Sequence, residues 1–321
     1  MGTDRMGTDR SFGRVGTPCR RRSPCRYGPS VRVGIVILPE HRWWAAEPLW
    51  RMAEEYGFDH AWTYDHLGWR SLVDRPWFDA VPTLAAAAGV TSEIRLGPRG
   101  ASPNFRPPVH FARELTALDD VTDGRLTLGI GAGGAGFDAR VLGGEDLGAR
   151  ARADRFAEFV ELLDKILTQD STTFHGEYYT AVEARRSPGC VQVPRLPFLL
   201  AANTRRSMRV TARFGKGWVT TGREATGTDQ WWRSVTELAE TFEEVLDEEG
   251  RDPRGVDRYL SVDAAPVYSL TSAEHFRDVV GRAGELGFTD VVCHWPRPDE
   301  PYAGQESTVE KVASEVLPDL R

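Results

Sequence analysis

From residue 31 onward the apolar residues fall into two alternating rhythms. Short, nearly continuous runs such as Val31–Leu38 (VRVGIVIL) read as strands buried on both faces, the pattern of a parallel sheet. Between the runs, apolar positions recur three and four apart and give one helix face to a core. Leu49, Met52, Ala53 and Tyr56 make one such face, with Pro48 near the expected helix start and Gly57 after its end. Phe78, Val81, Leu84, Ala85 and Ala88 make the next, closed by Gly89. Later faces carry Phe156, Phe159 and Leu163; Trp231, Val235 and Leu238; Phe276, Val279 and Val280; and Val309 and Val312. Thr271-Ser272-Ala273-Glu274 is a capping-box pattern ahead of one of them.

The strands read as Val31–Leu38, His60–Tyr64, Ile94–Gly97, Arg125–Ile130, Pro197–Ala202, Gly217–Thr221, Tyr259–Tyr268 and Asp290–Trp295, each followed by a helix. Regular alternation predicts a parallel sheet, and eight such units predict an α/β chain closed into a (β/α)8 TIM barrel. The chain has 321 residues, which suits one barrel of ~250 residues with additions. Residues 31–321 are therefore expected to form a single barrel domain, with an insertion loop at about 168–195 after the fourth helix. Residues 1–30 lack periodicity, are rich in Arg, Gly, Ser and Pro, and repeat MGTDR; they are expected to be a disordered or artefactual tail.

Both strands of the unit Ile94–Gly134 end in permissive backbone: Pro98-Arg99-Gly100-Ala101-Ser102-Pro103 after the first, Gly129, Gly131, Gly133 and Gly134 after the second. In α/β folds, ligands sit at that end of the strands. The glycines run GxGxGG and lack dinucleotide-fingerprint spacing, so a flat backbone wall for a planar ring is expected instead. His66 follows the second strand beside Asp65, where it reads as an acid, base or cofactor contact, or as a loop histidine beside a turn-capping Asp. Asn203-Thr204 opens a helix carrying Arg205 and Arg206: a phosphate site on a helix N-terminus, or an ordinary cap with a solvated basic face. Trp43, Trp44, Trp69 and Trp295, with His41, lie near strand ends and suit an apolar pocket for a flat substrate.

Bulk properties narrow the classes. The formal net charge of −7 offers no basic stripe for nucleic acid, and no apolar run reaches the ~18 residues of a membrane span. Cysteines at 19, 25, 190 and 293 give neither a disulfide framework nor a metal site, so a reduced, cytoplasmic setting without metal is expected. No HExxH, GxSxG or P-loop occurs.

Four blocks in order, YGFDHAWTYDHLGW, IRLGPRGASPNFRPPVHFARELTALDDVTDGRLTLGIGAG, LPFLLAANTRRSMRVTARFGKGW and LGFTDVVCHWPRP, resemble the bacterial luciferase-like family of oxidoreductases from about Val31 to the C-terminus. The resemblance implies FMN or the deazaflavin coenzyme F420 at the C-terminal face of the barrel. The Asp-His-Leu sequence is more similar to the F420-dependent branch. By position it implies that Asp65 and His66 lie beside the ring. It implies a non-prolyl cis peptide at Arg99–Gly100, with Ala101 and Ser102 following, and Gly131, Ala132 and Gly133 flanking the ring. Ala202, Asn203, Thr204 and Arg205 would hold the phosphate. The sugar-phosphate dehydrogenases of that branch carry a Glu proton donor where this chain has Gly134, which counts against glucose-6-phosphate. The expected activity is hydride transfer between F420 and a small organic substrate with His66 as catalytic partner. The alternatives are an FMN monooxygenase served by a separate reductase, and a non-catalytic flavin-binding homologue. Homodimerisation is common in the family and is expected here.

Overall fold

The computed structural model describes residues 31–134, 136–144 and 147–321, so the expected tail lies outside the described residues. The strands are β1 (Arg32–Val36), β2 (His60–Tyr64), β3 (Arg95–Arg99), β4 (Leu128–Ile130), β5 (Ser171–His175), β6 (Thr180–Arg185), β7 (Phe198–Ala201), β8 (Gly217–Thr220), β9 (Asp257–Ser261) and β10 (Asp290–His294). The helices are α1 (Trp43–Glu55), α2 (Ala80–Ala88), α3 (Pro108–Val121), α4 (Phe137–Val141), α5 (Ala149–Thr168), α6 (Arg205–Phe214), α7 (Thr228–Glu248), α8 (Ala273–Glu285) and α9 (Glu306–Glu315). Eight strands run parallel in the order β3-β2-β1-β10-β9-β8-β7-β4. The two ends of that sheet meet through Leu96–Leu126 and Ala101–Ile130 bridges, with Ala101 N donating to Gly129 O and Gly131 N to Ala101 O. The result is a (β/α)8 barrel.

Polar side chains cluster in the N-terminal half of its interior. Asp290 accepts from Arg32 Nε at 2.8 Å and Nη2 at 2.7 Å, and from His60 Nε2 at 3.0 Å. Trp62 Nε1 donates to His60 Nδ1 at 2.7 Å, which puts the imidazole proton on Nε2. The ring of His60 takes the space beside Gly34, where any Cβ would overlap it. Trp62 and Tyr259 meet edge to face above it. This end keeps a polar cavity of about 580 Å³ lined by Arg32, His60, Arg95, Gln192, Lys216 and Tyr259, and a separate opening lies at the strands' C-terminal ends.

Three details depart from the sequence pattern. Pro48 lies inside α1 rather than near its start; it is exposed, as is Trp44, so water can serve the carbonyl that the missing N–H abandons. The strand expected over Tyr259–Tyr268 stops at Ser261, because the Asp263 side chain takes over pairing: Oδ1 accepts from Ser269 N and Oδ2 from His294 N. Within 168–195, β5 and β6 form an antiparallel hairpin of their own. Among the described residues, no helix is long and apolar enough to cross a membrane.

Candidate functional site

The strand ends of β2, β3, β4, β7, β8, β9 and β10 surround a cavity of about 220 Å³. A second cavity of about 320 Å³ adjoins it, and the two share His66, Trp69 and Arg70. His66 therefore stands where the two spaces meet.

Its orientation is fixed from three sides. Nδ1 lies 2.7 Å from Asp138 Oδ2, while the other oxygen of Asp138 accepts from Leu67 N at 2.8 Å. Asp138 is buried, and as a carboxylate it only accepts, so Nδ1 carries the proton and Nε2 keeps its lone pair. Trp77 Nε1 holds the backbone through His66 O at 2.8 Å. Nε2 faces Gly100, where a Cβ would lie 3.2 Å away. Gly100 adopts φ +81°, a conformation natural to glycine.

A second histidine faces the cavity from β10. His294 Nδ1 lies 2.9 Å from Asp263 Oδ2, and its Nε2 lies 2.7 Å from Tyr64 Oη. Asp263 fixes the proton on Nδ1, so Tyr64 donates its hydroxyl to Nε2. Tyr302 stacks on the imidazole at 3.8 Å. Burial lowers the pKa of His294 despite Asp263, and burial raises that of Tyr64, so both are neutral near pH 7. Arg99, also buried, extends over Trp62 and donates to Ser261 Oγ.

Of the residues expected from the sequence, His66, Arg99, Gly100 and Trp69 line the main cavity, and Gly133 lines the adjoining one. The expected cis peptide at Arg99–Gly100 is absent; the cis bonds among the described residues all precede proline. The positive φ of Gly100 turns the chain there, without the ~3–4 kcal/mol of a non-prolyl cis bond. Asp65 lines neither cavity: its carboxylate is gripped by Arg106, Nη2 to Oδ1 at 2.6 Å and Nε to Oδ2 at 3.1 Å. Ala101 and Ser102 are buried behind Gly100, and Gly131 and Ala132 lie beside the cavities without lining them.

At α6, Thr204 is the N-cap in a capping box with Ser207, Ala202 O accepts from Trp218 Nε1, and Asn203 bridges Thr220 Oγ1 and Gly222 O. Arg205 turns outward to Glu244 and Glu248 on α7, and Arg206 to Asp154. The basic face is ion-paired and Ser207 N donates to Thr204 Oγ1, which leaves the N–H groups of Arg205 and Arg206 as the donors of that terminus.

Of the aromatic residues expected at the substrate pocket, Trp69 lines the main cavity. His41 and Trp43 line a separate cavity of about 230 Å³ between α1 and α2, Trp44 is 76 % exposed, and Trp295 is in the core. Asp138, Asp263, Tyr64 and Tyr302 went unread in the sequence. Tyr64, two positions before His66, carried a usable signal: on a barrel strand alternate residues share a face.

A sequence model of the luciferase-like monooxygenase family matches residues 31–313. An uncharacterized protein of Mycobacterium tuberculosis is 27 % identical over 303 residues, covering 89 % of this chain and 99 % of its own. The F420-dependent glucose-6-phosphate dehydrogenase of Amycolatopsis mediterranei is 29 % identical over 275 residues, 78 % of this chain and 80 % of its own. Among solved structures, an F420-dependent secondary alcohol dehydrogenase in complex with an F420–acetone adduct superposes with a TM-score of 0.76 at 18 % identity, over 91 % of this chain and 99 % of its own.

Proposed function

The chain belongs to the luciferase-like monooxygenase family and is an oxidoreductase, and from that premise we propose that it transfers hydride between coenzyme F420 and a small organic substrate. One observation carries this reading: a histidine whose free Nε2 is aimed, by a buried carboxylate, across the bare backbone of Gly100 into the cavity.

The residues present suit a flat ring with a phosphate tail. Gly100 offers no side chain, and at Gly129 a Cβ would come within 3.0 Å of Pro98 O, so the wall is backbone. The first turn of α6 suits the phosphate through its N–H groups and dipole. Bound at this face, F420 supplies two-electron hydride chemistry and no useful oxygen activation. The chain's own part is proton management and enclosure. His66 Nε2 takes the proton from a substrate hydroxyl as it becomes a carbonyl, or returns it in the reverse direction. Asp138 holds the tautomer and steadies the imidazolium. Trp69 and Tyr302, stacked 6.1 Å apart, wall the cavity from water. Gly134, where the resemblance calls for a Glu, counts against glucose-6-phosphate as substrate.

The second reading, an FMN monooxygenase, has the family's own description in its favour. Separate titrations of the protein with F420 and FMN decide between them. We expect F420 to bind; affinity for FMN alone overturns the proposal.

A further inference from the structure

Among the described residues three arginines are buried, and two are neutralised. Arg106 holds Asp65 through two hydrogen bonds, and Arg297 holds Glu40 through Nε at 2.6 Å and Nη2 at 2.8 Å. Arg99 has no carboxylate. Among the described residues the one hydrogen bond of its side chain is to the neutral hydroxyl of Ser261, and Arg99 lines the cavity. The acid on the same wall, Asp263, is already spent on His294 and Ser269. A second cation, Arg70, sits at the mouth over the Trp69 ring at 4.6 Å, also without an acidic partner among the described residues. A buried charge without a counter-ion is costly, and active sites are where such a cost persists.

We propose that Arg99 is the carboxylate subsite of the substrate, so that the enzyme acts on a small organic acid. A carbonyl edge of a ring would leave the Arg99 charge uncompensated, whereas a carboxylate supplies a full negative charge. Its two oxygens match the fork of a guanidinium. Beside the polar groups His66, Thr221, Asp263 and His294, the cavity presents Ile130, Leu199, Val219 and the rings of Trp69 and Tyr302, an apolar surface that suits a carboxylate on an aryl or alkyl body rather than a hydrated phosphate. Burial lowers the pKa of Arg99, as it does for any cation kept from water without a partner. The inference rests on the oxidoreductase reading for the second reactant, but the subsite is testable without it.

The probe is benzoate, with neutral benzamide as its control, titrated calorimetrically into the protein alone and into protein saturated with F420. We expect benzoate to bind in both cases and benzamide to bind far more weakly. Arg99→Gln should weaken benzoate at least about tenfold, the scale of one charge-assisted contact, and leave benzamide unchanged. Should that variant fail to fold, Arg99→Lys keeps the charge without the fork, and reduced benzoate affinity there supports the subsite equally. Equal affinity for the two probes, no effect at Arg99, or displacement of benzoate by F420 overturns the subsite. Benzoate binding with no F420 affinity sinks the cofactor reading and leaves the subsite standing.

Discussion

His66 Nδ1 and Asp138 Oδ2, 72 positions apart in sequence, lie 2.7 Å apart at the junction of two cavities. Asp138 lines the adjoining cavity but not the main one, which it reaches only through His66; towards the main cavity it is a positioning residue. Asp138→Asn keeps the shape but offers an amide that can reverse the tautomer, as the amide N–H donates where the carboxylate accepted. We expect a loss of turnover with cofactor affinity retained, and a changed pH profile of kcat/KM. His66→Ala should cost roughly 10²–10⁴-fold in kcat. A pH profile in Asp138→Asn identical to the parent's would leave Asp138 only a packing role.

In the proposed function, the cofactor phosphate at α6 is held by backbone rather than arginine. Arg205 is engaged by Glu244 and Glu248, so Arg205→Gln should leave cofactor affinity nearly unchanged in a fluorescence titration. Thr204→Ala removes the cap that shapes the first turn, and should cost about 1 kcal/mol of stability and weaken the cofactor. The opposite ranking of the two variants would restore the arginine reading.

Gly100 links backbone to chemistry. Alanine there must adopt φ near +81°, at a cost of about 1–2 kcal/mol, and its Cβ would press on His66 Nε2 from 3.2 Å. Gly100→Ala should therefore lower Tm modestly and turnover severely. Thermal unfolding and steady-state kinetics on one preparation separate the two effects.

The barrel was legible because burial on both strand faces and helical periodicity are local patterns, and their alternation leaves few topologies. His66 and Gly100 were legible because position after a strand marks the ligand face. The partners were not. Asp138 follows a glycine loop, Asp263 follows a strand whose apolar pattern continues to Tyr268, and only the folded chain brings each to its histidine. Asp65 shows the converse: adjacency to His66 suggested a shared role, but neighbours on a strand point to opposite faces, and Arg106 claims it.

The polar cluster in the N-terminal half of the barrel sets the acid limit of the fold. Burial drives the Asp290 carboxyl up, but hydrogen bonds from His60 and Arg32 outweigh it, and the pKa falls from 3.8 to about 2. A depressed carboxylate stabilises the fold fully above its unfolded value, and that contribution is lost as pH falls from about 4 towards 2. Its size is roughly 2 kcal/mol. His294, depressed by burial, acts in an earlier window: stability begins to fall as pH drops below the ordinary 6.5, because the unfolded imidazole takes up its proton first. Urea denaturation across a pH series should thus show a decline starting near 6.5 and a second below 4. His294→Gln should remove the first decline alone, since it leaves the Asp290 cluster at the other end of the barrel untouched. Arg32→Gln should blunt the second, because one of the two groups holding Asp290 ionised is gone. A flat profile between pH 6.5 and 5 in the parent protein would show that His294 is not held neutral by its surroundings.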